Sequence, residues 1–148
     1  MKPLDTLYVG IACDHAGYEL KEKLKESFAK TFFALKDFGT DSIDSVDYPD
    51  YIHPLAVAVA HHEIDFGIAI CGSGNGVSIV ANKHKDVRAA LCWTEEIAIL
   101  ARKHNDANII SLPARFISEA LAEEMIEQFM TTDFEGGRHC HRVDKINK

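Results

Sequence analysis

The sequence predicts an α/β fold: a three-layer, doubly wound, Rossmann-like sheet of five parallel strands with helices on both faces. Three observations carry the prediction. Short apolar runs rich in β-formers alternate along the chain with segments of helical period. The runs number five, and such alternation favours a parallel sheet covered on both sides. There is no internal repeat, low-complexity tract or linker, so residues 1–148 read as one domain.

The elements follow in order. Residues 7–12 form the first strand. Residues 17–30 place Leu20, Leu24 and Phe28 at spacings of four, one face of a helix. Residues 31–38 form a second strand ending in Gly39-Thr40. A helix over 51–62 is preceded by Pro49-Asp50 and carries Pro54 in its first turn. The third strand is 65–71, followed by a short helix over 75–82 and a fourth strand at 87–92. Thr94 offers a cap for a helix over 94–103. The fifth strand is 107–112. A helix over 118–130 has Glu119 in its first turn, and a last helix starts near Arg138. The expected strand order is 2-1-3-4-5. That order makes strands 1 and 3 neighbours and opens a ligand crevice between their carboxyl ends.

Hydrophobic residues make up 47% of the chain, enough for a core. A formal net charge of -7 argues against a general nucleic-acid binder, while leaving room for a local basic pocket. No apolar run approaches a membrane span, and MKPLDTLYVGIACDH lacks a secretory apolar stretch with a cleavage site. The expected setting is the cytoplasm, with no membrane partner. Cys13, Cys71, Cys92 and Cys140 form no CxxC pair and read as free thiols.

Two polar segments follow the strands that flank the crevice. One is Cys13-Asp14-His15-Ala16-Gly17, and the other is Ile70-Cys71-Gly72-Ser73-Gly74-Asn75-Gly76. Glycines after a strand let backbone N–H groups approach a ligand, and the helix that follows adds its free N–H groups and dipole. The segment is no Walker loop, for no Gly-Lys-Ser/Thr follows, and Val77 breaks the dinucleotide fingerprint. Cys71 is either a small buried hydrophobe or, at the mouth of an N–H cradle, a nucleophile or general base facing a developing oxyanion. Asp14 and His15 sit at the end of strand 1, which favours a role in a site. Arg138 and Arg142, four apart on one helix face, read as a phosphate clamp or as charged surface. His104-Asn105-Asp106 reads as a helix C-terminus, and His61-His62 as a solvated pair. Cys13, Cys92 and Cys140 read as structural.

Together with Asp47-Tyr48-Pro49, Ala81-Asn82-Lys83, Arg88-Ala89, Ala101-Arg102-Lys103-His104-Asn105-Asp106, Glu135-Gly136-Gly137-Arg138-His139 and Arg142, these segments resemble one known family. It is the family of ribose-5-phosphate isomerase B and the galactose-6-phosphate isomerase subunits. The resemblance implies interconversion of D-ribose 5-phosphate and D-ribulose 5-phosphate in the pentose phosphate pathway, through an enediolate, without metal or other cofactor. It makes Cys71 the base, with Ser73 and the N–H groups of Gly74, Asn75 and Gly76 holding the enediolate and Gly72 among the substrate contacts. A second branch of the family has a glutamate base at the position of Val77, so this chain resembles the cysteine branch. His104 donates a proton for ring opening with help from Asp14. His15, Arg138 and Arg142 bind the phosphate, and Tyr48, Asn105 and Arg115 contact the sugar.

His104 and Asn105 precede strand 5, whereas Cys71 and Asp14 follow their strands. The two groups therefore belong to opposite ends of the sheet in one chain. The expectation is a homodimer with shared active sites, with pairing into a tetramer left open. Rival readings are an isomerase for a hexose 6-phosphate such as allose 6-phosphate, a non-catalytic phosphosugar-binding protein, and a cysteine hydrolase using His15 and Asp14.

Overall fold

The computed structural model describes residues 2–148. Its strands are β1 (Tyr8–Cys13), β2 (Ala34–Asp37), β3 (Phe66–Cys71), β4 (Ala89–Leu91) and β5 (Ile109–Pro113). Its helices are α1 (Tyr18–Ser27), α2 (Pro49–Ala60), α3 (Asn75–Ala81), α4 (Glu95–Asn105), α5 (Glu119–Thr131) and α6 (Arg138–Val143). The five strands make one parallel sheet, as the alternating pattern predicts.

The order is β2-β1-β3-β5-β4, which corrects the expected 2-1-3-4-5. The reason lies in the strands themselves. β5 is buried along its whole length, whereas β4 has only three residues, all half-buried. A strand covered on both faces belongs inside the sheet and a short, partly wet one at its edge. β2, with two exposed residues, takes the other edge. The neighbours β1 and β3 are as expected, with Val9 beside Phe66 and Cys13 beside Ile70.

The two faces of the sheet differ in side-chain size. Val9, Ile11, Ile68, Ile70, Ile110 and Leu112 pack into a core with residues of α1, α4 and α5, among them Leu24, Ala98, Met125 and Phe129. The alternate positions Ala12, Ala69 and Cys71 belong to a second core with Ile52, Leu55 and Val59 of α2 and Val77 of α3. Alternation of period two sorts the residues this way. The small face lets α2 come close. A Cβ on Gly10 would lie 2.7 Å from Leu55 Cδ1 and 2.6 Å from Ile64 Cδ1.

Caps set several helix starts. Thr94 Oγ1 accepts the Ile97 N–H at 3.2 Å, and Ser118 Oγ accepts that of Leu121 at 3.1 Å. α2 begins two residues earlier than expected, with Pro49 at its first position, so Pro54 falls in its second turn. Lys21 of α1 is fully buried and donates to Asp37 Oδ2 of β2 at 2.7 Å and to Glu22 Oε1 at 3.1 Å. Among the described residues, no helix is long and apolar enough to cross a membrane.

Candidate active site

Cys71 closes β3 on the small face of the sheet and is 5% exposed. The next turn folds back on it. Gly74 adopts φ 74°, a left-handed conformation, and its N–H donates to Cys71 Sγ at 3.2 Å. A side chain there would be strained by the backbone angle, and its Cβ would lie 2.4 Å from Leu91 Cδ1. α3 starts at once, and its first N–H groups have no partner within the helix. The Asn75 N–H donates to Ser73 Oγ at 3.3 Å.

Asp14 and His15 arrive from β1. The Asp14 N–H donates to Ile70 O at 3.2 Å, which ties the end of β1 to that of β3. Asp14 Oδ1 accepts the N–H groups of Ala16 and Gly17, which fixes the carboxylate, 7% exposed, at the start of a short 3-10 turn. His15 Nδ1 accepts the Val46 N–H at 3.2 Å and leaves Nε2 available to a ligand.

Arg115 reaches this place because β5 lies beside β3. Cys71 is in register with Pro113, the Ala114 N–H donates to Cys71 O at 2.9 Å, and the Arg115 N–H donates to Gly72 O at 3.1 Å. In the expected order, with β4 between them, these bonds could not form. The glycines make room: a Cβ on Gly72 would lie 3.1 Å from the Arg115 guanidinium, and one on Gly76 2.6 Å from the Tyr48 ring. The cavity has a volume of about 440 Å³ and is lined by Asp14, His15, Tyr48, Cys71, Ser73 and Arg115, with Phe116 beside them.

His104, Asn105 and Arg142 lie elsewhere. They line a second cavity of about 340 Å³ with His139, Val143 and Ile146. Asp106 ends α4 in a left-handed conformation. The Glu135 N–H donates to Lys103 O at 3.1 Å and so brings the start of α6 against the end of α4. The His104 and His139 rings stack there, centroids 4.3 Å apart and 13° from parallel. Arg138 opens α6 one turn before Arg142 and is exposed. His139, buried, is the member that sequence reasoning passed over. It stood in a quoted motif, but its ring partner lies 35 positions earlier and only the fold joins them. Burial, then the nearby charges of His104 and Arg138, hold its imidazole below the ordinary histidine range.

Donor atoms of His104, Glu135 and His139 lie within 4.8 Å of one another, which makes them a candidate metal triad. Nearly parallel rings do not aim their lone pairs at one point, however. Lys103, 3.8 Å from Glu135, and Arg138 and Arg142 around His139 add positive charge. The cluster suits an anion better than a cation.

The two cavities flank β5. Asn105 precedes its first residue by four positions, and Arg115 follows its last by two. The strand alone spans about 16 Å at roughly 3.3 Å per residue. One chain thus carries two separated clusters.

Comparison with known proteins identifies the family. The model of the ribose/galactose isomerase family matches residues 9–146. The chain belongs to that family. Among curated members, ribose-5-phosphate isomerase B of Escherichia coli is 38% identical over 138 residues, 93% of each chain. The crystal structure of a ribose 5-phosphate isomerase from Thermotoga maritima is 46% identical, with a TM-score of 0.92 over 95% of this chain and 97% of that one. A family member from Mycoplasma genitalium, a ribose-5-phosphate isomerase B solved with bound ribulose-5-phosphate, is 41% identical with a TM-score of 0.88, covering 93% and 92% of the two chains.

Proposed function

We propose that the protein interconverts D-ribose 5-phosphate and D-ribulose 5-phosphate, needs no metal, and works in the cytoplasm within the pentose phosphate pathway. The observation that carries the reading is Cys71 Sγ held under the Gly74 N–H in one cavity with Asp14, His15 and Arg115. Its likeness to ribose-5-phosphate isomerases of the same family supports the substrate class.

The furanose first opens. The His104 imidazolium gives a proton to the ring oxygen while Asp14 takes one from the anomeric hydroxyl, and the ring C–O bond breaks to leave the aldehyde. The Cys71 thiolate then removes the proton from C2, and the electron pair moves through C1–C2 onto the carbonyl oxygen. The Ser73 hydroxyl and the N–H groups of Gly74, Asn75 and Gly76 hold the resulting enediolate, and Gly72 lines the substrate's cavity. The C2 hydroxyl proton passes to O1, the proton held by Cys71 returns to C1, the C2 oxygen becomes the carbonyl, and the ketose forms. His15, Arg138 and Arg142 hold the phosphate, while Tyr48, Asn105 and Arg115 fix the sugar.

These roles need both cavities in one site, so His104, Asn105, Arg138 and Arg142 come from a second copy in a homodimer. Phe116, 76% exposed on the wall of the first cavity, supports a covered face there. The test is ketose formation from ribose 5-phosphate with chelator present. Wild type should turn over and Cys71→Ala should lose nearly all activity. Mixing the impaired Cys71→Ala and His104→Asn chains should restore part of it. An inactive wild type that converts allose 6-phosphate moves the substrate to a hexose phosphate. An active Cys71→Ala removes the proposed base, and no restoration on mixing removes the shared site.

A further inference from the structure

The corner that carries His104 and Asn105 is unusually well tied. Three consecutive carbonyls follow the histidine, those of Asn105, Asp106 and Ala107, and two arginines take all of them. Arg88 Nε donates to Asn105 O at 3.0 Å and to Asp106 O at 2.9 Å. Arg102 Nη1 donates to Ala107 O at 2.7 Å. The Asp106 carboxylate joins the two: Oδ1 accepts from Arg102 at 2.7 Å and Oδ2 from Arg88 at 3.2 Å. Arg102 is 8% exposed, lies 5.0 Å from the Phe66 ring centroid, and donates to Thr132 O at 3.2 Å, in the segment that leads to α6. Asp106 does not line either cavity of the candidate site.

A left-handed C-cap needs none of this. Glycine or asparagine serves as well at such a position, and the carboxylate adds nothing to the cap itself. A charged side chain gripped by forked donors fixes its direction closely. The grip acts on the residues directly after His104.

We propose that Asp106 is a positioning residue for the reaction: clamped between Arg88 and Arg102, it fixes the end of α4 so that the His104 ring stays stacked on His139 and directed at the substrate's ring oxygen. The proposal rests on His104 being the ring-opening acid.

The experiment is a double-mutant cycle on the full-length protein. Asp106→Asn keeps the shape and tolerates the left-handed backbone while removing the charge. Alone it should lower kcat about tenfold, with a smaller change in KM, since misplacement by under an ångström costs on that order. In the His104→Asn background it should cost less than about twofold, because the group it positions is gone. Asp106→Gly should behave like Asp106→Asn. Should Asp106→Asn not fold, Arg88→Lys, which keeps the cation and loses the fork, takes its place in the same cycle. Wild-type kcat in Asp106→Asn, or an equal loss in both backgrounds, overturns the proposal. Full activity in His104→Asn itself overturns the acid and with it the positioning role, whereas an active Cys71→Ala strikes only the proposed base.

Discussion

Gly74→Ala is the perturbation that tests the cradle most directly. Three costs follow from the structure. An alanine at φ 74° costs about 1–2 kcal/mol in the left-handed region. Its Cβ would stand 2.4 Å from Leu91 Cδ1, so that side chain must turn away. It would also stand 3.2 Å from the backbone of Leu112 and Pro113, which cannot turn away. Overpacking of this kind costs about 1–3 kcal/mol. The sum is about 2–5 kcal/mol, a large part of the roughly 5–15 kcal/mol that holds a domain folded. For a chain of this length it should lower the melting temperature by roughly 6–20 °C at about 3–4 °C per kcal/mol. Backbone relief also moves the N–H that meets Cys71 Sγ, so kcat should fall by at least about tenfold. Thermal unfolding by circular dichroism and initial-rate kinetics on ribose 5-phosphate read the two effects. Gly72→Ala is the control for stability alone: its Cβ meets the exposed Arg115 side chain, which can swing. A Gly74→Ala protein that melts within about 2 °C of wild type and keeps full kcat would refute both the strain and the cradle.

Two further predictions concern the thiols and a carboxylate. Burial pushes the Cys13 and Cys92 thiols up to about 12, with Lys21 only partly offsetting this for Cys13. Iodoacetamide at neutral pH should therefore label exposed Cys140 in the native protein and spare both, and mass spectrometry showing Cys13 or Cys92 labelled as fast as Cys140 would contradict this. For Asp37, burial alone would raise the carboxyl, but hydrogen bonds from Lys21 and Lys25 outweigh it and hold the group below its ordinary value of 3.8. A depressed carboxyl stabilises fully above its unfolded value and loses that contribution as pH falls through its folded one. Asp37→Asn should thus be less stable than wild type at neutral pH, with the gap closing below about pH 4 in urea titrations; a constant gap would assign the loss to packing.

What the sequence made legible follows from local physics. Leu24 and Phe28 are buried as their spacing requires, and Thr94 and Ser118 cap the helices they precede. The place of β4 was not legible, since the runs at 87–92 and 107–112 read as equally long and only the fold reduces the first to three paired residues at an edge. The end of α4 ran two residues past the expected one because Asp106, in a left-handed conformation, is held there by arginines 18 and 4 positions before it. Cys71, Asp14 and His15 come together because strand neighbours could be foreseen. Arg115 was carried by resemblance alone until β5 fell beside β3. The stack of His104 on His139 depends on how α6 docks, which no local pattern encodes.

The separation of the two clusters by the length of β5 also bears on inheritance. When each site draws one half from either copy, a chain with a ruined thiol half still lends an intact histidine half to its neighbour. A duplicated gene could therefore shed Cys71 from one product and keep it in the other, and the mixed pair would retain one working site of two. Restored activity between two differently damaged copies, each impaired alone, would be the genetic signature of such an architecture.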